Sequence, residues 1–332
     1  MGYSRATLYW TETGEQSKTP MRIGLALPQL GLAATPKVIK RFAADAEAAG
    51  FDSLWVHERL FNPQHPPRPD APGQDLSPLE LLSFAAAVTD RIRLGTSVIT
   101  LGYHRPIMLA KQAATLDVLS EGRAILGVGL GLNKEEYRQS DIDFHTRGRR
   151  SAEFIHALRA CWKADPVAFR GEFFDIPPSA TSPKPVQRNE AGEPAIPIIG
   201  GFSSKPGQRR TAELCDGWQT AGKDLATAMS DYQEADRAAR EDFGRGRLPC
   251  YWRVWAIPPF SRRTAPKQIG DRAVAYWLGS IEEMAEQVAA AREAGVDEVI
   301  MDSNRFLDDG TEDDWDRQVD AFASLVEVAH GK

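Results

Sequence analysis

The sequence predicts an α/β fold, a (β/α)8 TIM barrel with two insertions, on three observations. Strand-like and helix-like runs alternate along the 332 residues, which is typical of a parallel sheet with helical crossovers. Eight strand-like runs are each followed by a helix-like run, and eight such units fit a closed barrel. No linker divides the chain, and no internal sequence repeat is found. A doubly wound open sheet is the alternative fold.

The eight predicted strands are short apolar runs. They cover residues 22–28, 53–56, 93–101, 124–129, 195–201, 217–220, 250–257 and 298–301. The third strand is unusual, because Gly95, Thr96 and Ser97 interrupt it and glycine weakens a strand. It also runs into two polar residues with possible function, His104 and Arg105.

The predicted helices follow from apolar residues at helical spacing and from end signals. They cover residues 36–50, 77–89, 107–122, 147–163, 205–215, 226–243, 281–294 and 314–329. Thr35 is the predicted N-cap of the first helix. Ser77 with Glu80, and Ser280 with Glu283, have the spacing of a capping box.

Two segments interrupt the alternation and are predicted to be insertions. Residues 164–194 follow the fourth helix, and the run VAFRGEFFDI within them predicts a β-hairpin. Residues 258–279 follow the seventh strand. Residues 1–20 have no signal-peptide pattern and are interpreted as an N-terminal extension, so residues 21–332 are expected to form a single barrel domain.

The composition excludes several classes of function. A net charge of −6 argues against nucleic-acid binding, and no polybasic patch or long apolar run predicts membrane association. Cys161, Cys215 and Cys250 are far apart, which predicts reduced thiols in a cytoplasmic protein rather than disulfides or a zinc site. The histidines have no ligand spacing, so no metal site is predicted.

The barrel interpretation places functional residues at the carboxyl ends of the strands. His57, Glu58 and Arg59 follow the second strand and are candidates for acid–base chemistry or cofactor contacts. The alternative is a solvated loop with an ordinary ion pair. His104, after the third strand, is a further candidate, with a surface contact as its alternative.

A glycine-rich run, GVGLGLN, follows the fourth strand at residues 127–133. It fails the dinucleotide fingerprint because Leu132 occupies the position of the last small residue, and no helix is predicted directly after it. Gly129 and Gly131 would let the backbone approach a flat or anionic ligand closely. A simple tight turn is the alternative.

The run IGGFSSKPGQRRTAE, after the fifth strand, is the strongest predicted anion site. Gly200 and Gly201 free the backbone, and Ser203 and Ser204 stand at the start of a helix, whose free N–H groups bind phosphate well. The alternative is a serine N-cap with a solvated basic face. The basic run DFHTRGRR at residues 143–150 is predicted to be a solvated helix start rather than a substrate clamp.

From residue 21 to about 329 the chain resembles the bacterial luciferase-like monooxygenase superfamily, especially its branch dependent on a deazaflavin, coenzyme F420. The resemblance is carried by RIGLALPQLG, AEAAGFDSLWVHERL, the long block from SPLELLSFAAAVTD to GRAILGVGLG, DFHTRGRRSAEFI, FRGEFFDI and PIIGGFSSKPGQRRTAELCDGW. The long central block is specific to the superfamily, but no segment identifies the substrate.

The resemblance implies an oxidoreductase that transfers a hydride between F420 and a small organic substrate, and a homodimer. An FMN-dependent monooxygenase and a flavin-binding protein without catalysis are the alternatives within the superfamily. An aldolase or isomerase barrel is the alternative outside it, although Lys223 is the only lysine at a strand end that could form a Schiff base.

The resemblance also implies roles for residues. Members commonly have a non-proline cis peptide in strand three beneath the ring, here Ser97–Val98, with the small residues before it giving room. Arg59 lies where a histidine is common, and Leu130 lies where an arginine holds the phosphate of FMN in bacterial luciferase. The candidate catalytic residues are Glu58, Arg59 and His104, and the candidate cofactor-binding residues are Ser97, Val98, Thr100, Gly129, Gly131, Gly200, Gly201, Ser203 and Ser204.

Overall fold

Eight parallel strands close into a barrel, which confirms the predicted fold class. The computed structural model describes residues 20–61, 74–261, 268–269, 272–307 and 311–332, so the predicted extension lies outside the described residues except for Pro20. The strands are β1 (Arg22–Ala26), β2 (Ser53–Val56), β3 (Arg93–Thr96), β4 (Ala124–Gly129), β5 (Ile198–Gly200), β6 (Gly217–Ala221), β7 (Cys250–Ala256) and β8 (Glu298–Asp302). Each strand pairs in parallel with the next, and β8 pairs with β1.

In the described part of the chain, eight helices surround the barrel, and their ends agree with the predictions to within about three residues. They are α1 (Pro36–Ala48), α2 (Pro78–Ala86), α3 (Pro106–Leu119), α4 (Arg147–Trp162), α5 (Lys205–Leu214), α6 (Leu225–Glu241), α7 (Ile281–Glu293) and α8 (Glu312–His330). None of the described helices is long and apolar enough to cross a membrane.

Two of the three predicted caps are present. Thr35 accepts the N–H of Val38 at 3.3 Å, and Ser280 forms the full capping box with Glu283. Ser77 occupies the N-cap position of α2 as predicted, but its capping box is absent, because its hydroxyl donates to the carboxylate of Glu80 and accepts no helix N–H.

Shorter elements lie between the barrel units. The predicted hairpin is present as antiparallel strands Val167–Arg170 and Asp175–Ser179. The remaining short elements are the strands Leu30–Gly31, Gln74–Asp75, Ile99–Thr100, Gln268–Ile269, Arg272–Ala273 and Tyr276–Trp277, the 3-10 turns Leu101–Tyr103 and Phe144–Thr146, and the helices Lys134–Gln139 and Asn304–Leu307. The expectation that no helix follows the glycine-rich run is wrong, because Asn133 caps a helix there by accepting the N–H of Glu135 at 2.9 Å.

The barrel interior is built in layers, because inward-facing side chains alternate along each strand. On β8, Glu298, Ile300 and Asp302 contribute to three successive layers. The lowest is ionic, with the buried Glu298 carboxylate accepting from Arg22 Nε at 3.1 Å. The middle layer is apolar and consists of Trp55, Ile125, Ile199, Tyr251 and Ile300. The upper layer is polar and lies beneath the carboxyl ends of the strands, so it forms the floor of the candidate site.

Gly95 is required by this interior packing. A Cβ atom at Gly95 would stand 2.4 Å from the ring of Trp55, a distance that side chains do not tolerate. The resemblance implies that the small residues of the third strand give room for an unusual peptide bond. For Gly95, the structure gives another reason: the indole of Trp55 fills the space that a side chain would occupy.

Candidate active site

Glu58 and His104 form a hydrogen-bonded pair at the carboxyl end of the barrel. Glu58 lies two residues beyond β2, and His104 follows the 3-10 turn after the second part of the third strand. His104 Nε2 is 2.6 Å from Glu58 Oε1, and Glu58 Oε2 accepts the N–H of Thr100 at 2.7 Å. The Glu58 side chain is 6 % exposed and that of His104 is 20 % exposed. Three of the predicted site residues therefore meet here, with solvent access on the histidine side.

Arg59 belongs to a separate contact. Its Nη1 lies 3.3 Å from Glu136 Oε2, whereas Glu58, the neighbouring residue in sequence, bonds to His104. Glu136 is fully buried and also accepts the N–H of Leu60 at 2.9 Å and the hydroxyl of Tyr103 at 2.8 Å. Sequence reasoning missed Glu136, which lies in the helix that was not predicted. It anchors the loop after β2 and thereby holds Glu58 in place.

The Ser97–Val98 peptide bond is cis, as the resemblance implied. The side chain of Val98 lies between two glycines: a Cβ at Gly129 would stand 2.6 Å from Val98 Cγ2, and a Cβ at Gly201 would stand 2.7 Å from Val98 Cγ1. We call Val98, Gly129 and Gly201 the glycine cradle. The Val98 methyl groups therefore fill the space that side chains at Gly129 and Gly201 would need, and Val98 itself stays half-buried at the barrel mouth.

The other predicted residue of the glycine-rich run lies beside this cradle. Gly131 has φ of +64°, and a Cβ there would stand 2.7 Å from Thr100 Cγ2. The turn thus brings Gly131 against Thr100, which is itself held by Glu58. The chain bends here between β4 and the helix Lys134–Gln139, and this bend lies between the cradle and the Glu58–His104 pair.

Polar side chains of the upper interior layer hold Ser97 from below. Gln219 Nε2 donates to Ser97 Oγ at 2.8 Å, and the guanidinium of Arg253 donates to the carbonyl oxygen of Ser97. Arg253 Nε lies 3.0 Å from Asp302 Oδ2. Burial alone would raise the pKa of Asp302, but the charge of Arg253 and the hydrogen bonds from Arg253 and from the N–H of Asn304 together outweigh burial and hold this pKa well below its usual range. Gln219 Oε1 is buried and accepts no hydrogen bond from the residues described.

These residues were not among the sequence-based candidates. A charged residue inside an apolar strand, as Arg253 is in β7, is nevertheless a signal of a polar barrel interior. Trp252 is buried against Trp277, with ring centroids 5.5 Å apart, and belongs to the core packing. Trp255 is half-buried, and the guanidinium of Arg305 lies 5.3 Å from its ring centroid.

His57 lies at the same mouth and is held in its neutral form. Gln29 binds both backbone groups of His57, with distances of 2.9 Å and 2.6 Å. Burial, and to a lesser extent the charge of Arg253, lower the pKa of His57 to about 3. Its Nε2 lies 3.9 Å from Asp75 Oδ1, and burial raises the pKa of Asp75 to about 6. His57 is therefore uncharged at neutral pH.

The start of α5 is only partly the site that the sequence predicted. Gly200 is a packing position, because a Cβ there would stand 2.4 Å from Thr211 Oγ1. The hydroxyl of Ser204 caps the helix by accepting the N–H of Gly207 at 3.3 Å, which is the alternative stated above. Ser203 is exposed beside it.

The basic run at residues 143–150 differs from its prediction. Arg149 is exposed and pairs with Glu172 at 2.8 Å, as expected for a solvated helix start. Arg147 and Arg150, however, are half-buried against aromatic rings. The reason is the hairpin insertion and the preceding 3-10 turn, which cover this end of α4 with phenylalanines.

Comparison with known proteins identifies the family. The luciferase-like monooxygenase family profile matches residues 16–256. The chain belongs to this family. Among its luciferase-like relatives, an uncharacterized protein of Mycobacterium tuberculosis is 36 % identical over 217 residues, which are 62 % of this chain and 74 % of the relative. The F420-dependent glucose-6-phosphate dehydrogenase of Kineococcus radiotolerans is 35 % identical over 219 residues, which are 63 % of this chain and 60 % of that enzyme.

A solved structure shares the luciferase-like fold. An F420-dependent secondary alcohol dehydrogenase in complex with an F420–acetone adduct superposes with a TM-score of 0.73 at 18 % identity, covering 93 % of this chain and 99 % of the other. The family match argues against the aldolase alternative. The side chain of Lys223 supports this conclusion, since its ammonium is paired with the carboxylate of Asp231.

Proposed function

We propose that this protein is an F420-dependent oxidoreductase that transfers a hydride between the deazaflavin and a small organic substrate. The observation that carries the proposal is the arrangement at the barrel mouth, where the glycine cradle and the Glu58–His104 pair are joined through Thr100. Relatives at 29–35 % identity named F420-dependent glucose-6-phosphate dehydrogenase support the choice of cofactor.

The residues present fit a flat ring. A Cβ at either Gly129 or Gly201 would collide with Val98, so Val98 can stand half-buried at the barrel mouth, where a flat ring could rest on it, only because both residues are glycine. When bound, the deazaflavin supplies the carbon that accepts or donates the hydride. Gln219 and Arg253 hold Ser97 from below and so keep the cradle in position.

The phosphate of the cofactor is proposed to bind at the start of α5. This helix has ten residues, and its first N–H groups carry the partial positive charge of the helix dipole. Gly201 of the cradle and the exposed Ser203 lie just before the N-cap of this helix, so the chain leads from the cradle to the helix start. Leu130 lies where bacterial luciferase has an arginine that holds the phosphate of FMN. Because leucine is uncharged, this position contributes no positive charge for a phosphate.

The Glu58–His104 pair is proposed to move the proton of the reaction. When a hydride leaves or joins a substrate carbon, the heteroatom on that carbon must lose or gain a proton. His104 can accept or release this proton at a ring nitrogen, and Glu58 stabilises the charged imidazolium through the 2.6 Å contact. Glu58 is itself oriented by the N–H of Thr100, so the imidazole is held in one direction.

To test this proposal, the purified protein is mixed with oxidised F420 and, in a parallel sample, with FMN. Native mass spectrometry then measures which cofactor stays bound. We expect one F420 per chain to be retained and FMN to be lost. Reduced F420 is then incubated without oxygen with a panel of carbonyl, imine and alkene acceptors, and reappearance of oxidised F420 absorbance identifies turnover. Retention of FMN with oxygen-dependent turnover would instead establish the monooxygenase alternative, and retention of F420 without turnover across a broad panel would favour a binding protein.

A further inference from the structure

Three arginines lie between the first turn of α4 and the middle of α5. We call Arg147, Arg150 and Arg210 the arginine cluster. Arg147 and Arg150 begin α4, and Arg210 lies in α5. The two helices meet at Gly148, where a Cβ would stand 3.6 Å from Arg210 Nη2. The cluster therefore bridges two neighbouring barrel units at the carboxyl side of the barrel.

None of these three guanidinium groups pairs with a carboxylate of the described residues. Arg147 stacks on the ring of Phe144, 3.5 Å from its centroid, and donates from Nη1 to the carbonyl oxygen of Phe144 at 2.6 Å. Arg210 lies 5.4 Å from the ring centroid of Phe202. The Nε atoms of Arg147 and Arg210 are both buried without a hydrogen-bond acceptor in the described part of the chain. Such unsatisfied donors are costly in a finished fold.

Arg150 is held in the same manner by the hairpin insertion. Its guanidinium lies 4.8 Å from the ring centroid of Phe173 and 5.2 Å from that of Phe174. Glu153, one turn further along α4, does not pair with it. Instead, the Glu153 carboxylate accepts three backbone N–H groups of the hairpin turn, those of Glu172, Phe173 and Phe174, at 2.7–2.9 Å.

Neighbouring arginines on the same helices behave differently. Arg149 pairs with Glu172, Arg159 with Asp216, and Arg209 with Asp242. On these two helices, the arginines that lack a carboxylate partner among the described residues are thus the three of the cluster. Burial also lowers the pKa of Arg150 and of Arg210, as expected for cations that are partly removed from water without a partner.

The cluster is continuous with the candidate active site. Arg147 and Arg150 line one pocket together with His104, Leu101 and Gly102. Arg210 extends the cluster toward Phe202, which follows Gly201 of the glycine cradle. A ligand in the cradle with a long anionic extension would therefore meet these guanidinium groups on leaving the barrel mouth.

We propose that the arginine cluster binds the acidic tail of F420, the glutamate carboxylates that follow its phosphate. The inference rests on the proposed function and adds a second anionic subsite to it. Stacking on phenylalanine covers one face of the Arg147 and Arg150 guanidinium groups, and the terminal N–H groups of Arg150 and Arg210, which have no acceptor among the described residues, match a carboxylate in a bidentate contact. An anionic substrate would use the same chemistry, and the experiment separates the two sources.

The experiment measures cofactor affinity by titration calorimetry with three probes: F420 with its glutamate tail, F420 from which all glutamates have been removed, and the deazaflavin riboside without phosphate. For the unaltered protein we expect the tail to strengthen binding at least tenfold over the glutamate-free form, and the gain to shrink as salt is added. We expect this gain to fall severalfold or more in the double variant that combines Arg147→Gln with Arg150→Gln. We expect a similar fall in the single variant Arg210→Gln.

The matched control is Arg149→Gln, which removes an exposed, paired arginine from the same helix turn. We expect it to bind all three probes as the unaltered protein does. The glutamate-free probe reports folding, because cluster variants that fold should bind it normally. Equal affinity for the tailed and glutamate-free forms in the unaltered protein would overturn the tail site and leave a substrate anion as the ligand, whereas failure to bind any form would overturn the proposed function as well.

Discussion

The carboxylate of Glu58 and the imidazole of His104 lie 2.6 Å apart although 46 residues separate them in the chain. They meet because β2 and β3 are neighbours in the barrel, with Val56 paired to Thr96 at the carboxyl end of the two strands. The pair is therefore a product of strand register. Its partly exposed histidine faces the region where barrel enzymes carry out their chemistry.

Substitution of Glu58 by glutamine should reduce turnover with little effect on stability. The amide keeps the shape of the carboxylate and can still accept the N–H of Thr100, but it cannot stabilise a charged His104. We expect kcat to fall at least roughly tenfold, which corresponds to about 1.4 kcal/mol. Steady-state kinetics and a thermal melt of the same preparation measure the two effects.

The control for this variant is Glu135→Gln, which alters an exposed carboxylate paired with Arg138. We expect unchanged turnover. If Glu58→Gln lowers the melting temperature while turnover per folded molecule stays the same, Glu58 has a structural role and the assignment of the catalytic pair is wrong.

Substitution of Gly201 by alanine should weaken cofactor binding. The added Cβ would stand 2.7 Å from Val98 Cγ1, so Val98 must move and the cradle is deformed. We expect the Kd for F420 to rise at least roughly tenfold, because a flat ring loses close contact over its whole area when the surface beneath it is displaced. Gly246→Ala is the control, since a Cβ there would meet no atom within 4 Å. An unchanged Kd for Gly201→Ala would exclude the cradle as the ring site.

His57 should make the protein less stable in mild acid. Its pKa is about 3 in the folded state, because of burial and the charge of Arg253, and about 6.5 when unfolded. Between these values only the unfolded chain binds the proton, so stability falls as pH decreases below about 6.5, by at most about 1.4 kcal/mol per pH unit. Urea unfolding from pH 8 to pH 5 of the unaltered protein and of His57→Gln measures this contribution. We expect the free energy of unfolding of the unaltered protein to fall more steeply with decreasing pH than that of His57→Gln. A difference between the two proteins that does not change with pH would contradict the assignment.

Substitution of Gly95 by alanine should destabilise the fold. The Cβ would stand 2.4 Å from the indole of Trp55 in the closed barrel interior, and such overpacking typically costs about 1–3 kcal/mol. The free energy of unfolding from chemical denaturation measures it. Trp55→Phe in the same chain removes the ring atoms that collide, so we expect the double variant to be more stable than the sum of the two single effects. Simple additivity would show that Trp55 is not the obstacle.

The architecture of this protein could be predicted because its signals are local. Apolar runs, capping residues such as Thr35 and Ser280, and alternation of strand and helix depend on residues close together in the chain, and they located the eight strands and eight helices. The insertion hairpin was visible for the same reason. The two short helices were not, because segments of six and four residues carry too few periodic positions to be recognised.

The site was only partly predictable, since contacts between strand ends depend on closure of the barrel. The sequence by itself determined that chemistry-bearing residues follow β2, β3 and β5, and the resemblance pointed to the bond before Val98. Only the tertiary structure decided that Glu58 joins His104 while the adjacent Arg59 joins Glu136, and that Arg253 and Gln219 hold Ser97 from inside the barrel. Successive residues point in different directions, and register and side-chain packing across distant strands choose which of them meet.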